Sequence, residues 1–217
     1  MQTKFLNKNN NEKLILFFNG WGMNMSILEH INSENYDVLT FYNYDKQFNI
    51  NIDVLENYKE IYLVAWSMGV WAAAVSLQGT DIKITKSIAI NGTLRPIDNN
   101  FGIPISIFEG TINNFSERNK LKFDRRMLGS KENFDWYKSL KNKRENKEQL
   151  DELKLIHKNA INTSIDFTFD KIIIGKQDLI FPSNNQINFW KDKGESILIE
   201  CPHFPFLKYN SWSDIIQ

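Results

Sequence analysis

A serine, an aspartate and a histidine stand at three distant points of this 217-residue chain, each just after a run of strand-forming residues. Ser67 closes YLVAW and opens MGVWAAA, Asp178 lies in KIIIGKQD, and His203 comes after SILIE in CPHFPF. A serine hydroxyl is a poor nucleophile until a base removes its proton. An imidazole is such a base, and a carboxylate fixes its tautomer and stabilises its charged form. In the chain order Ser, Asp, His, these three residue types support acyl transfer.

The neighbours of Ser67 obey a steric rule. Where a strand turns abruptly into a helix at a serine, the two backbones nearly touch, so the positions two before and two after must be small. Ala65 and Gly69 fill them, and alanine adds only a methyl group to the glycine of the usual pattern. The remaining histidines have plainer readings: His157 sits on an expected helix, and His30 near the end of an earlier one. Asp170 stands at the wrong end of its strand, and Asp166 and Asp192 read as solvated. Acyl transfer also needs donors for the developing oxyanion. In isolation the turn in FFNGWGM (17–23) reads equally as an ordinary turn or as one that points backbone amides at such an oxygen. Beside the three residues it assigns one donor to the N–H of Trp21 and the other to the N–H of Met68.

Positioning these groups requires a sheet. Strand-like runs recur at 13–19, 37–42, 60–66, 86–91, 171–175 and 196–200, each mostly apolar and separated by helical or polar material. Continuous apolar strands are covered on both faces, which predicts a mostly parallel sheet of about six strands between helices. PISIF (104–108) reads either as one more short strand or as the entry to the segment after it. MGVWAAAVSLQG is apolar nearly all round, so a buried helix is expected there, ended by Gly79. From about Thr111 to Ser164 no strand is evident. That stretch reads as a helical cap inserted in one α/β domain, with the core at about 13–110 and 165–217.

Composition excludes several classes. Lys+Arg and Asp+Glu are 26 each, so the whole molecule has no electrostatic reason to bind nucleic acid or a membrane. A single cysteine, Cys201, forms no internal disulfide and no thiol cluster for zinc. The start MQTKFLNKNNNEK lacks the apolar segment of a signal peptide and reads as a short solvated lead-in, so a cytoplasmic setting is expected. No metal and no cofactor is called for, and no phosphate-binding glycine loop is present.

With these residues in place, the chain resembles the α/β-hydrolase superfamily over nearly its whole length. More closely, it is similar to BioG-type pimeloyl-[acyl-carrier protein] methyl ester esterases. The resemblance rests on LILFFNGWGM, VAWSMGVWAA, KFDRRM, GKQD and PHFPF. Asn19 stands where the superfamily often has a histidine, and the match in the cap is confined mainly to its entrance. The resemblance implies a serine carboxylesterase of biotin synthesis, which removes the methyl group masking a carboxylate on a carrier-bound acyl chain. Residues 110–160 hold thirteen Lys/Arg against eight Asp/Glu. A basic cap of this kind could steer an acidic acyl-carrier protein, with Arg118, Lys122, Arg125 and Arg126 as contacts, or these side chains are simply wet helix faces. Trp21, Phe115, Phe123, Trp136 and Tyr137 are candidates to line the acyl channel, the last four equally candidates for the cap's own core. Two rivals stay open: another esterase or thioesterase with the same machinery, and a non-catalytic domain that binds an acidic partner.

Overall fold

The computed structural model describes residues 1–44, 48–140, 144–161 and 165–217. The six expected strands form, as β2 (Lys13–Phe18), β3 (Asp37–Tyr42), β4 (Glu60–Trp66), β5 (Lys86–Ile90), β6 (Lys171–Gly175) and β7 (Glu195–Ile199). They are parallel in the order β3-β2-β4-β5-β6-β7. Order reverses beside β2: β3 lies on one flank and β4 on the other, so the crossovers take helices to both faces. The strands' continuous apolar runs reflect this, since β2 and β4 are almost wholly buried.

A seventh strand, β1 (Gln2–Asn7), pairs antiparallel with β3 at the sheet's edge. The polar lead-in expected there is therefore structured. QTKFLN is exposed over its first half, so it shows no buried period, yet it completes the hydrogen bonds of β3. Backbone pairing, not burial, makes it a strand.

Helix α1 (Met68–Leu77) is buried at nine of its ten positions, and Gly79 takes a left-handed φ of 77° just beyond its end. Between β5 and β6 lie α2 (Ile105–Asn113), α3 (Glu117–Leu128), α4 (Lys131–Ser139) and α5 (Asn146–Ala160). PISIF is thus helical. Pro104 precedes the first turn, where its lack of an N–H costs nothing, and Asn99 Oδ1 accepts the Ile105 N–H at 3.0 Å. The helical insertion accordingly begins near 105 rather than 111, and its expected end at 164 lies outside the described residues. Ser116 and Ser130 cap α3 and α4 by accepting the amides of Asn119 and Asn133. The chain closes with α6 (Ser183–Trp190) and α7 (Trp212–Ile216).

Candidate active site

Ser67 occupies the single residue between β4 and α1, with φ 60° and ψ −126°. Few non-glycine residues hold such a conformation, and it persists because strand and helix on either side are fixed. Gly69 shows why the bend demands small neighbours: a Cβ there would stand 2.1 Å from the carbonyl oxygen of Phe18. That obstacle is backbone and cannot swing aside. Ala65, on the buried strand, is accommodated.

The loops after β6 and β7 bring Asp178 and His203 to Ser67. His203 is 1% exposed. Its Nδ1 lies 2.8 Å from Asp178 Oδ2 and its Nε2 lies 2.9 Å from Ser67 Oγ. With a carboxylate accepting at Nδ1, that nitrogen carries the proton, and Nε2 is left to accept from the serine hydroxyl. Asp178 is itself pinned: Oδ1 accepts the amides of Ile180 and Phe181 at 2.8 and 2.9 Å, and Oδ2 also accepts from Gln186 Nε2 at 3.1 Å. His30 and His157 lie elsewhere, bonded to the Phe206 carbonyl and to Glu109. Asp170 accepts from the Ser87 amide and hydroxyl, before the strands.

Asn91 is a part of the site that sequence reading missed. At φ 46° just after β5, its Oδ1 accepts the Gly175 N–H at 2.6 Å, and its Nδ2 donates to the carbonyls of His203 and Pro202 at 2.9 and 3.2 Å. One amide side chain thus ties the end of β6 to the loop carrying His203. Trp66 Nε1 adds a second tie to the His203 carbonyl at 2.8 Å. The available signal was Asn-Gly directly after a strand.

Trp21 and Met68 border the same cleft as Ser67 and His203. The Met68 N–H belongs to the first turn of α1, where helix geometry supplies no acceptor. Around Trp21 the turn is tightly bonded. Gly20 N–H goes to Asn19 Oδ1, and Gly22 N–H to Glu152 Oε2, while among the described residues the intervening Trp21 N–H meets no acceptor. Asn19 spans the turn, its Nδ2 donating to the Asn24 carbonyl at 2.9 Å. Gly22 has φ 74°, and a Cβ there would meet Gln149 Oε1 at 2.7 Å.

The cleft, about 560 Å³ including its open mouth, is mainly apolar. Phe123, Arg126 and Met127 reach it from one face of α3, Ile107 and Phe108 from α2, and Leu179 from the acid loop. Of the aromatic candidates, Trp21 and Phe123 line it. Phe115 borders a neighbouring hollow of about 490 Å³, open mouth included, shared with Trp21, Phe123 and Arg126. Trp136 and Tyr137 do not border the cleft. Trp136 packs on His30 and Phe204, with ring centroids 5.4 and 5.8 Å apart, and the Tyr137 hydroxyl meets Met23 Sδ at 3.8 Å. Helix α4 thus packs its aromatic face on Met23, His30 and Phe204, and that face seats the insertion rather than lining the cleft.

Arg118, Lys122, Arg125 and Arg126 are all exposed on α3 at spacings of four, three and one, which is one helical stripe. Among the described residues none of the four is ion-paired, whereas Lys120, Lys131, Lys138, Arg144 and Lys147 each face an acid of the insertion. Lys154 and Lys158 on α5 are likewise exposed without an ion pair among the described residues, so the stripe carries part of the segment's surplus positive charge, and it reaches the cleft at Arg126.

Burial pushes the Cys201 thiol up to about 11, so it holds its proton at neutral pH and is no rival nucleophile. Among the described residues no group of three or more His, Cys, Asp or Glu is arranged to hold a metal ion. No helix among them is long and apolar enough to cross a membrane.

The sequence model of a family described as pimeloyl-ACP methyl esterase BioG matches residues 1–215. The crystal structure of BioG from Haemophilus influenzae superposes with a TM-score of 0.93 at 37% identity, covering 100% of both chains. An esterase from Exiguobacterium antarcticum shares the fold, with a TM-score of 0.71 at 16% identity over 95% of this chain and 89% of that one. A malonyl-[acyl-carrier protein] O-methyltransferase of Bacteroides fragilis is 40% identical over 181 residues, which are 83% of this chain and 37% of that protein. The chain thus spans little more than a third of that relative's length.

Proposed function

The chain belongs to the BioG family of pimeloyl-ACP methyl esterases, and from that premise we propose that it cleaves the methyl ester of a pimeloyl chain carried on acyl-carrier protein, with Ser67 as nucleophile. The observation that carries this reading is the unbroken relay from Asp178 through His203 to Ser67 at the floor of an apolar cleft.

Ser67 Oγ attacks the ester carbonyl as His203 Nε2 takes its proton, and Asp178 stabilises the imidazolium through Nδ1. Negative charge on the carbonyl oxygen meets the N–H groups of Trp21 and Met68. Collapse of the tetrahedral species expels methoxide, which leaves as methanol with the proton from His203. Water, deprotonated by the same nitrogen, then releases the free carboxylate. No metal or organic cofactor enters these steps.

The remainder of the substrate has a route outward. Methylene groups suit the apolar walls given by Phe123, Met127 and Ile107, and the carrier would dock at the mouth. Acyl-carrier proteins are acidic, and the exposed stripe Arg118, Lys122, Arg125 and Arg126, without an ion pair among the described residues, offers complementary charge. The Bacteroides relative is named for methylating an acyl unit on the same kind of carrier. Such a methyltransferase would install the kind of ester that this chain removes.

Incubation with pimeloyl-ACP methyl ester tests the reading, with loss of the methyl group monitored by mass spectrometry. Methanol and the free carboxylate are expected from the native protein and neither from Ser67→Ala. A strong preference for free short-chain esters would overturn the carrier-linked substrate, and undiminished turnover by the variant would overturn the nucleophile.

A further inference from the structure

The oxyanion turn is held from outside the sheet domain, by the insertion. Glu152, 0% exposed on α5, accepts the Gly22 N–H at Oε2 (3.1 Å) and the Tyr44 N–H at Oε1 (2.9 Å). Arg144, whose side chain is 4% exposed, donates to Oε2 at 2.6 Å. One turn earlier on α5, the Gln149 carbonyl accepts the Trp21 indole N–H at 2.6 Å.

These contacts act on consecutive peptide planes. The plane ending at the Gly20 amide is fixed by Asn19, and the plane ending at the Gly22 amide is fixed by Glu152. The plane between them carries the Trp21 N–H. Pinned on both sides, it has little freedom to rotate. A buried carboxylate is costly, and burial raises the Glu152 pKa against the pull of Arg144 and the two amides. A carboxylate suits this place because it accepts several donors at once.

We propose that Glu152 is a positioning residue that sets the Trp21 N–H as oxyanion donor, with Arg144 as its counter-charge, so that α5 of the insertion completes a hole otherwise built on the sheet. This rests on the esterase reading above.

Glu152→Gln replaces one acceptor by a donor, so it cannot receive both the Gly22 and Tyr44 amides. With a small activated methyl ester, kcat should fall about 10- to 100-fold while KM stays within about twofold, as expected for a misplaced transition-state contact. Affinity for an alkyl boronic acid, whose Ser67 adduct puts an anionic oxygen in the hole, should fall by a similar factor. Affinity for the matching neutral amide should hold. A folded Glu152→Gln protein that keeps native kcat, or loses kcat with boronate affinity intact, overturns the proposal.

Should that variant not fold, Arg144→Met is expected to give the same pattern more weakly, with Arg144→Lys recovering part of it. Native kcat and boronate affinity in Arg144→Met would equally overturn the proposal. Native and Ser67→Ala proteins are run alongside. Loss of hydrolysis in Ser67→Ala with no effect at Glu152 refutes the positioning role alone, whereas turnover by Ser67→Ala refutes the esterase reading itself.

Discussion

The carboxyl edge of the sheet and the helical insertion contribute to the same cleft by different physics. At the sheet edge, Ser67 is aimed by backbone with little freedom: a bend at φ 60° and a glycine pressed against a carbonyl. In the insertion, position is set by side chains meeting across long sequence separations, such as Glu152 with Gly22 and Tyr44. The first kind of order is local and rigid, and suits bond making. The second can be altered one contact at a time.

Removing the proposed nucleophile should have the largest effect. Ser67→Ala is expected to lower kcat by about 10⁴- to 10⁶-fold while the melting temperature hardly moves. Calorimetry beside turnover separates the two, and a large drop in stability would mean that the serine is held for folding rather than chemistry.

Next comes the tie between acid and base. Asn91→Ala leaves the Gly175 N–H without its acceptor, which costs about 1–3 kcal/mol for a buried group. The same change frees the His203 loop, and turnover should fall about 10- to 100-fold. Chemical denaturation and steady-state kinetics on one sample read both. Native activity in that variant would show that the sheet edge aims its side chains without help from the Asn91 ties.

Two aromatic residues of the insertion divide along the line drawn by the cleft. Phe123→Ala should raise KM for a methyl ester with a long methylene chain by about tenfold, in keeping with about 1–3 kcal/mol lost from an apolar wall. Trp136→Ala should lower stability and leave KM for that ester near the native value. Reversal of these results would put α4, not α3, against the substrate.

Charge reversal on the stripe should be the mildest. For Arg118→Glu with Lys122→Glu, the ratio of kcat/KM on carrier-linked ester to that on free ester should drop severalfold at low ionic strength. It should approach the native ratio as salt is added, because exposed charges are screened. A ratio independent of both mutation and salt would remove the stripe from carrier binding.

Legibility in the sequence divides the same way. The bend at Ser67 was legible because its requirements lie within five residues, from Ala65 to Gly69. The approach of Asp178 and His203 to Ser67 was legible because each comes after a strand whose composition is unmistakable. β1 was not, since a polar edge strand owes its form to β3 rather than to its own pattern. PISIF stayed open between strand and entry to the insertion because β-branched residues weigh toward strand, while a proline at the helix start and the Asn99 acceptor settle it as the entry, α2. The stripe on α4 gave the buried face but not what it is buried against, so Trp136 and Tyr137 were set among candidates for the channel. Glu152 was within reach. It falls with Gln149, Leu153, Ile156 and Ala160 on the buried face of α5, and a lone acid on such a face needs partners.

Cys201 stands two residues before the proposed catalytic base, wholly buried and with its thiol pushed up to about 11. Alkylating reagents therefore find nothing to modify while that segment is seated. Because it is the sole sulfhydryl of the chain, the rate at which iodoacetamide tags the native protein becomes a clock. It counts how often the histidine's loop lifts from its bed, without any engineered label.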